Sequence, residues 1–159
     1  MREHFKEVLA LQLNHSSENT PAMDRRGKLV RNDIPAEMRS WAAAQVDAAF
    51  PFRGRLNVQG RDGTGLKTFV PWVRIHSPEL SPSAQNGWYV VYLFHEDGSA
   101  VSLCISHGST RFDGGDFKPR SADEAARLME WGRNQIRHEA LALGFEEGSN
   151  LGSLQKLSR

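Results

Sequence analysis

Two stretches of the chain alternate with the period of a β-strand. In Phe69-Val70-Pro71-Trp72-Val73-Arg74-Ile75-His76, the residues Phe69, Pro71, Val73 and Ile75 fall on one side, and Val70, Trp72, Arg74 and His76 on the other. The first set is a packing face. The second puts an indole in the company of a cation and an imidazole. Gly87 to His95 is a stronger strand, with Trp88, Val90, Tyr92 and Phe94 on one face and Tyr89, Val91, Leu93 and His95 on the other. Asp97-Gly98 signals a hairpin, and Val101, Leu103 and Ile105 continue the apolar face on the returning strand. A further strand is expected over 53–58, then a loop from Gln59 to Gly65. Gly108 to Arg120 reads as a glycine-rich loop.

Helical spacing brackets these strands. Phe5, Val8, Leu9 and Leu13 predict a short helix over 2–13, and Thr20-Pro21 reads as a turn. The basic run Arg25 to Arg31 favours no one structure. Asn32 or Asp33 is placed to cap a helix opened by Pro35, with Ile34, Met38, Trp41, Ala42 and Gln45 on one face. Ser121 caps a third helix, in which Ala125, Leu128, Met129, Gly132, Ile136 and Leu143 form the expected buried stripe before Gly144 ends it. The expected architecture is α+β, a single domain with a mainly antiparallel sheet flanked by helices. It comprises a helical part over 1–50, a sheet carrying the site over 53–112, a C-terminal helix over 121–144 and a polar tail over 146–159.

Composition narrows the class. The 159 residues, 39% hydrophobic and 25% charged, describe a soluble globular domain with a real core. No apolar run is long enough to cross a bilayer, and the N-terminus has no signal-peptide pattern. A lone cysteine, Cys104, fits a reducing cytoplasm and reads as a small buried hydrophobe. Net charge is +1, but it is unevenly spread. From Pro51 to His76, Arg53, Arg55, Arg61, Lys67 and Arg74 face Asp62 alone, whereas from Ser121 to Glu147 three arginines face six acids. A polyanion would meet the first region.

Catalytic signals are weak. The six histidines are scattered and none pairs with Cys104 at zinc-like spacing, so no metal or cofactor is expected. Gly60-x-x-Gly63-x-Gly65 has dinucleotide-fingerprint spacing, but a strand follows it where a helix is required. Ser106-His107-Gly108-Ser109 sets serine beside histidine, and adjacency in sequence is not triad geometry. Asp113, Asp116 and Glu79 form no paired nuclease motif with a lysine. A binding site is better supported. If the two long strands are neighbours, Trp72, Tyr89 and Leu93 wall one concavity, with Arg61 and Lys67 on the glycine-rich loop beside it. An aromatic cavity next to a basic loop suits a nucleobase on a phosphate backbone. The alternative is a second core layer beneath the helices.

Three segments carry a family resemblance: Gly65 through Val73, Ser81-Pro82-Ser83-Ala84-Gln85-Asn86-Gly87-Trp88-Tyr89-Val90-Val91-Tyr92-Leu93-Phe94, and Ser106-His107-Gly108-Ser109-Thr110. Together they resemble the McrB-like N-terminal domain family, most strongly over 55–112. Arg31-Asn32-Asp33-Ile34-Pro35 and the helix after it resemble the same family. The resemblance implies the DNA-recognition module of a modification-dependent restriction system, in which 5-methylcytosine is flipped into a pocket and cleavage is left to other domains. By position, the pocket tryptophan, tyrosine and leucine correspond to Trp72, Tyr89 and Leu93. The family's loop aromatic has no counterpart, Thr64 or Arg61 occupying that region. No tyrosine follows Tyr92 to match a later pocket tyrosine, which leaves Phe112 or Phe117 as its substitute.

Backbone or loop contacts are expected of Arg53, Arg55, Arg61, Thr64, Lys67 and Arg74. The expected partners are double-stranded DNA with modified bases and a fused or associated nuclease or NTPase effector, with Leu151 to Arg159 reading as the start of that continuation. The domain itself is expected to be non-catalytic. Three other readings stay open: a protein-interaction scaffold with Trp72 in its core, a modified-DNA reader that does not flip the base, and a metal-dependent nuclease.

Overall fold

A computed structural model describes residues 1–45 and 56–144. Its elements are α1 (Arg2–Gln12), α2 (Pro21–Lys28), a π-helical segment (Leu29–Asp33), α3 (Ile34–Gln45), β1 (Asn57–Thr64), β2 (Leu66–His76), β3 (Trp88–Phe94), β4 (Val101–His107), β5 (Thr110–Asp113), β6 (Asp116–Pro119) and α4 (Ala122–Ala142). Strands β1-β2-β3-β4 form one antiparallel sheet in that order, and β5-β6 a separate hairpin. The α+β class expected from the periodicities is the observed one.

Boundaries differ where local chemistry was ambiguous. Thr20 is an N-cap, its Oγ1 accepting from the Met23 N–H at 3.3 Å, and Pro21 occupies the first turn. The helical path then continues through the basic run into α3, so neither Asn32 nor Asp33 is the cap and Pro35 does not open the helix. Proline inside a helix lacks a donor and clashes with the carbonyl one turn earlier. The wider π turn at Leu29–Asp33, ending two residues before Pro35, is the kind of local unwinding that makes room for it.

The stretch expected as a loop, Gln59 to Gly65, is instead most of β1, and 53–55 lie outside the described residues. Its glycines are there for backbone reasons. Gly60 meets the backbone of the π-helical segment so closely that a Cβ would stand 1.7 Å from the Val30 carbonyl oxygen. Gly63 and Gly65 have φ of 108° and 81°, one at a register break and one in the hairpin turn. Gly108–Arg120 likewise holds the β5-β6 hairpin, turned by Gly114 and Gly115 at positive φ.

One face of the sheet is packed. Val58, Val73 and Phe94 join Val8, Leu29, Val30, Ile34 and Met38 in the core, with Ile75, Tyr92 and Val101 at its margin. Phe5 of α1 meets Tyr92 and Phe94 edge-on at 5.2 and 5.3 Å. Helix α4 departs from its expected role. Only Gly132 of its residues is buried, while Met129 and Leu143 of the expected stripe are 52% and 78% exposed. Gly132 is where the Trp88 indole docks, 2.2 Å from the position of a Cβ, and Trp131 lies 5.7 Å away. The N-terminal helices cover the β1–β3 part of the apolar face but leave Leu103 and Ile105 of β4 more than a third exposed. Helix α4 meets that same face at the start of β3, through Trp88.

Candidate nucleic-acid interface

The other sheet face is assembled by register. Trp72 pairs with Arg61 on β1 and Leu93 on β3; Arg74 pairs with Gln59 and Val91; Tyr89 pairs with Ser106 on β4. Because side chains on directly paired residues share a face, Arg61, Trp72, Leu93, Val91, Tyr89 and Ser106 lie on one surface. Trp72, Tyr89, Val91 and Leu93 wall a cavity of about 190 Å³, completed by Ser106, His107 and Ser109. Drug-sized sites run to roughly 300–1,000 Å³, so this one is smaller than they are. Trp72, Tyr89 and Leu93, expected together from alternation, are together.

The polar wall was not expected as part of the site. Ser106 and His107 enter through the β3-β4 register, and the Asp97-Gly98 turn was the signal from which that register can be counted. Tyr89 donates its hydroxyl to the Ala84 carbonyl at 3.2 Å, and burial holds its phenol above the ordinary value of 10, so it is a neutral donor. The His107 Nδ1–H donates to the Gly108 carbonyl at 3.2 Å. Arg120 ties the rim loops together. It donates to the carbonyls of Gly108 and Gln85 at 2.8 and 2.9 Å and to the Glu124 carboxylate. A larger groove of about 410 Å³, lined by α4 on one side, adjoins this cavity and shares Leu93, Ser106, His107 and Ser109 with it.

The cations expected to meet a backbone fall into different environments. Arg61 is exposed beside Trp72. Lys67 is 8% exposed and turned inward to Asp62 at 3.3 Å. Arg74 is 2% exposed. Thr64 closes β1 at the hairpin, while Arg53 and Arg55 lie outside the described residues. Phe112 and Phe117 pair in the β5-β6 hairpin, off the four-stranded sheet.

Lys67 faces inward because the β1-β2 ladder breaks there. The register jumps between Arg61 and Gly63, leaving Asp62 buried and the Thr68 and Phe69 carbonyls without strand partners. Side chains from the helices take over. Arg26 donates to Asp62 at 2.8 Å and to the Thr68 carbonyl at 3.0 Å, and Gln12 donates to the Phe69 carbonyl at 2.9 Å. Arg26 also donates to Gln12 Oε1, and Arg31 reaches Asp62 at 3.4 Å. This buried network anchors the backbone just ahead of Trp72.

Among the described residues no cluster of three or more His, Cys, Asp or Glu is placed to hold a metal ion, and no helix is long and apolar enough to cross a membrane. A comparison with family models matches residues 8–156 to the MrcB-like, N-terminal domain. Neither the curated proteins nor the solved structures yield a match.

Proposed function

The chain belongs to the MrcB-like N-terminal domain family, and on that premise we propose that it is the DNA-recognition module of a modification-dependent restriction system. In this reading the cavity between β2 and β3 receives a modified cytosine, 5-methylcytosine first, extruded from the duplex. The observation that carries it is the convergence of Trp72, Tyr89 and Leu93 on one cavity of about 190 Å³, on the sheet face away from the helical core. Extrusion costs a few kcal/mol (roughly). Stacking on aromatic side chains returns about 1–3 kcal/mol per base, so two aromatic walls are of the size needed. Leu93 and Val91 supply apolar contact for a methyl group, and Arg61 supplies an exposed cation at the rim.

The domain binds and does not cleave; a fused or associated nuclease or NTPase acts on the DNA. The test is a fluorescence titration at two salt concentrations. The duplexes carry unmodified cytosine, 5-methyl-, 5-hydroxymethyl- or N4-methylcytosine, N6-methyladenine, or a phosphorothioate. The expected result is salt-dependent binding of every duplex, tightest for 5-methylcytosine. Equal affinity across the panel contradicts base reading.

A second reading has its own support. Met129, Trp131, Leu141 and Leu143 of the α4 region are more than half exposed, as on a surface that meets another protein. If the chain is a scaffold alone, no duplex binds even at low ionic strength.

A further inference from the structure

Arg74 is a buried cation that the protein leaves incompletely satisfied. It is 2% exposed, and its Nη1 has no hydrogen-bond partner. Nε donates to Gln59 Oε1 at 2.9 Å, and Cζ lies 5.4 Å from the centre of the Tyr89 ring. Among the described residues, the groups acting on it are the Tyr89 phenol, which burial keeps neutral, and Arg61, which repels it; neither is a carboxylate. Arg26 shows how the same chain completes a structural arginine: it is equally buried, yet its three nitrogens donate to Asp62, Gln12 and the Thr68 carbonyl. A buried guanidinium without an anion is costly, and an apolar side chain of similar volume would serve packing better. At Arg74 the two cross-strand partners are Gln59, which accepts from Nε, and Val91, and neither supplies a counter-charge.

What distinguishes the position is its neighbours. Trp72 is two residues away on the same face, Val91 is opposite and Tyr89 lies under the guanidinium, and all three wall the cavity. We propose that Arg74, which lies against the Tyr89 wall but outside the lining of the cavity, is a binding residue whose unpartnered Nη1–H takes an oxygen acceptor of the extruded nucleotide on binding. The acceptor is either a carbonyl of the base or an oxygen of its phosphodiester. The assignment rests on the DNA-recognition reading above and adds to it the hydrogen bond that selects the nucleotide.

The test compares wild type, Arg74→Met and Arg74→Gln on a 5-methylcytosine duplex, with thermal unfolding of each protein as the second readout. A lost charge-assisted hydrogen bond corresponds to about 10–100-fold weaker binding. Arg74→Met is expected to show that loss while its Tm holds or rises, because an incompletely paired cation has gone. A merely structural arginine would lower Tm instead. If Arg74→Met does not fold, Arg74→Gln, which keeps a polar donor, is read the same way.

A duplex with an abasic site at the target separates the two acceptors. Contact to the base predicts that the variant's loss vanishes there with the salt slope unchanged. Contact to phosphate predicts that the loss persists and the slope falls by about one. Binding by the folded variants within twofold of wild type (about the size of experimental scatter), while wild type still prefers the methylated duplex, overturns the role of Arg74 alone. Absence of salt-dependent binding by wild type overturns the DNA reading and this assignment with it.

Discussion

Lys67 and Arg61 lie on adjoining strands, yet Lys67 is spent on buried Asp62 and Arg61 is open to solvent beside Trp72. Their substitutions should therefore separate. Arg61→Ala is expected to weaken binding to methylated and plain duplexes alike and to reduce the salt slope by about one. Lys67→Met should leave that slope unchanged and lower the urea midpoint, because Asp62 loses a buried partner. A salt titration with parallel urea curves reads both. In the sequence the two looked alike, both basic and both beside glycines. What divides them is the break between Arg61 and Gly63, a backbone irregularity that a period-two reading passes over. The same reading found Trp72, Tyr89 and Leu93, because alternation within each strand is enough to fix their faces. It missed Ser106, His107 and Ser109 as lining residues, which depend on how β4 registers with β3.

At the scale of elements, β1 and the π segment are packed backbone against backbone. Gly60 has no room for a side chain beside the Val30 carbonyl, and neither partner can give way as a flexible side chain would. Gly60→Ala is expected to destabilise the fold by about 1–3 kcal/mol or more, measured as a lower urea midpoint at unchanged m-value. A β1 displaced from the helix would also move Arg61 and, through its pairing, Trp72. This contact explains why a glycine-rich stretch that reads as a loop is a strand: Gly60 serves a tertiary approach, and only Gly63 and Gly65 have positive φ. The helical boundary was hidden for a related reason. Pro35 normally marks a helix start, and its tolerance inside one depends on a π turn that local propensity does not encode.

The whole molecule couples its core to pH through two histidines. Burial first, then Arg74, holds the His76 pKa below its ordinary value of 6.5; burial and Arg26 do the same for His15. Both are favoured neutral when folded, whereas the unfolded chain takes up protons near pH 6.5. Their contribution to stability is therefore fully present above that pH and is lost as pH falls below it. Thermal unfolding should show a steady Tm from about pH 8 to 7 and a decline below about 6.5. That decline should be shallower in His76→Gln. The overall α+β plan was legible because the strand and helix periods are strong. The placement of α4 was not, since its apolar stripe looks like a buried face, whereas the core is formed with α1 to α3 and α4 meets the sheet through Gly132 and Trp131 against Trp88. Trp72 lies on the opposite face of the sheet from Val58, Val73 and Phe94, which join the core. The central claim is that Trp72 on this face is a platform for a modified base. The measurement that tests it most directly is the ratio of plain to 5-methylcytosine duplex affinity in wild type and Trp72→Ala, both shown to be folded. The account predicts a clear preference in wild type that collapses to near parity in Trp72→Ala. An undiminished preference in the variant would contradict it.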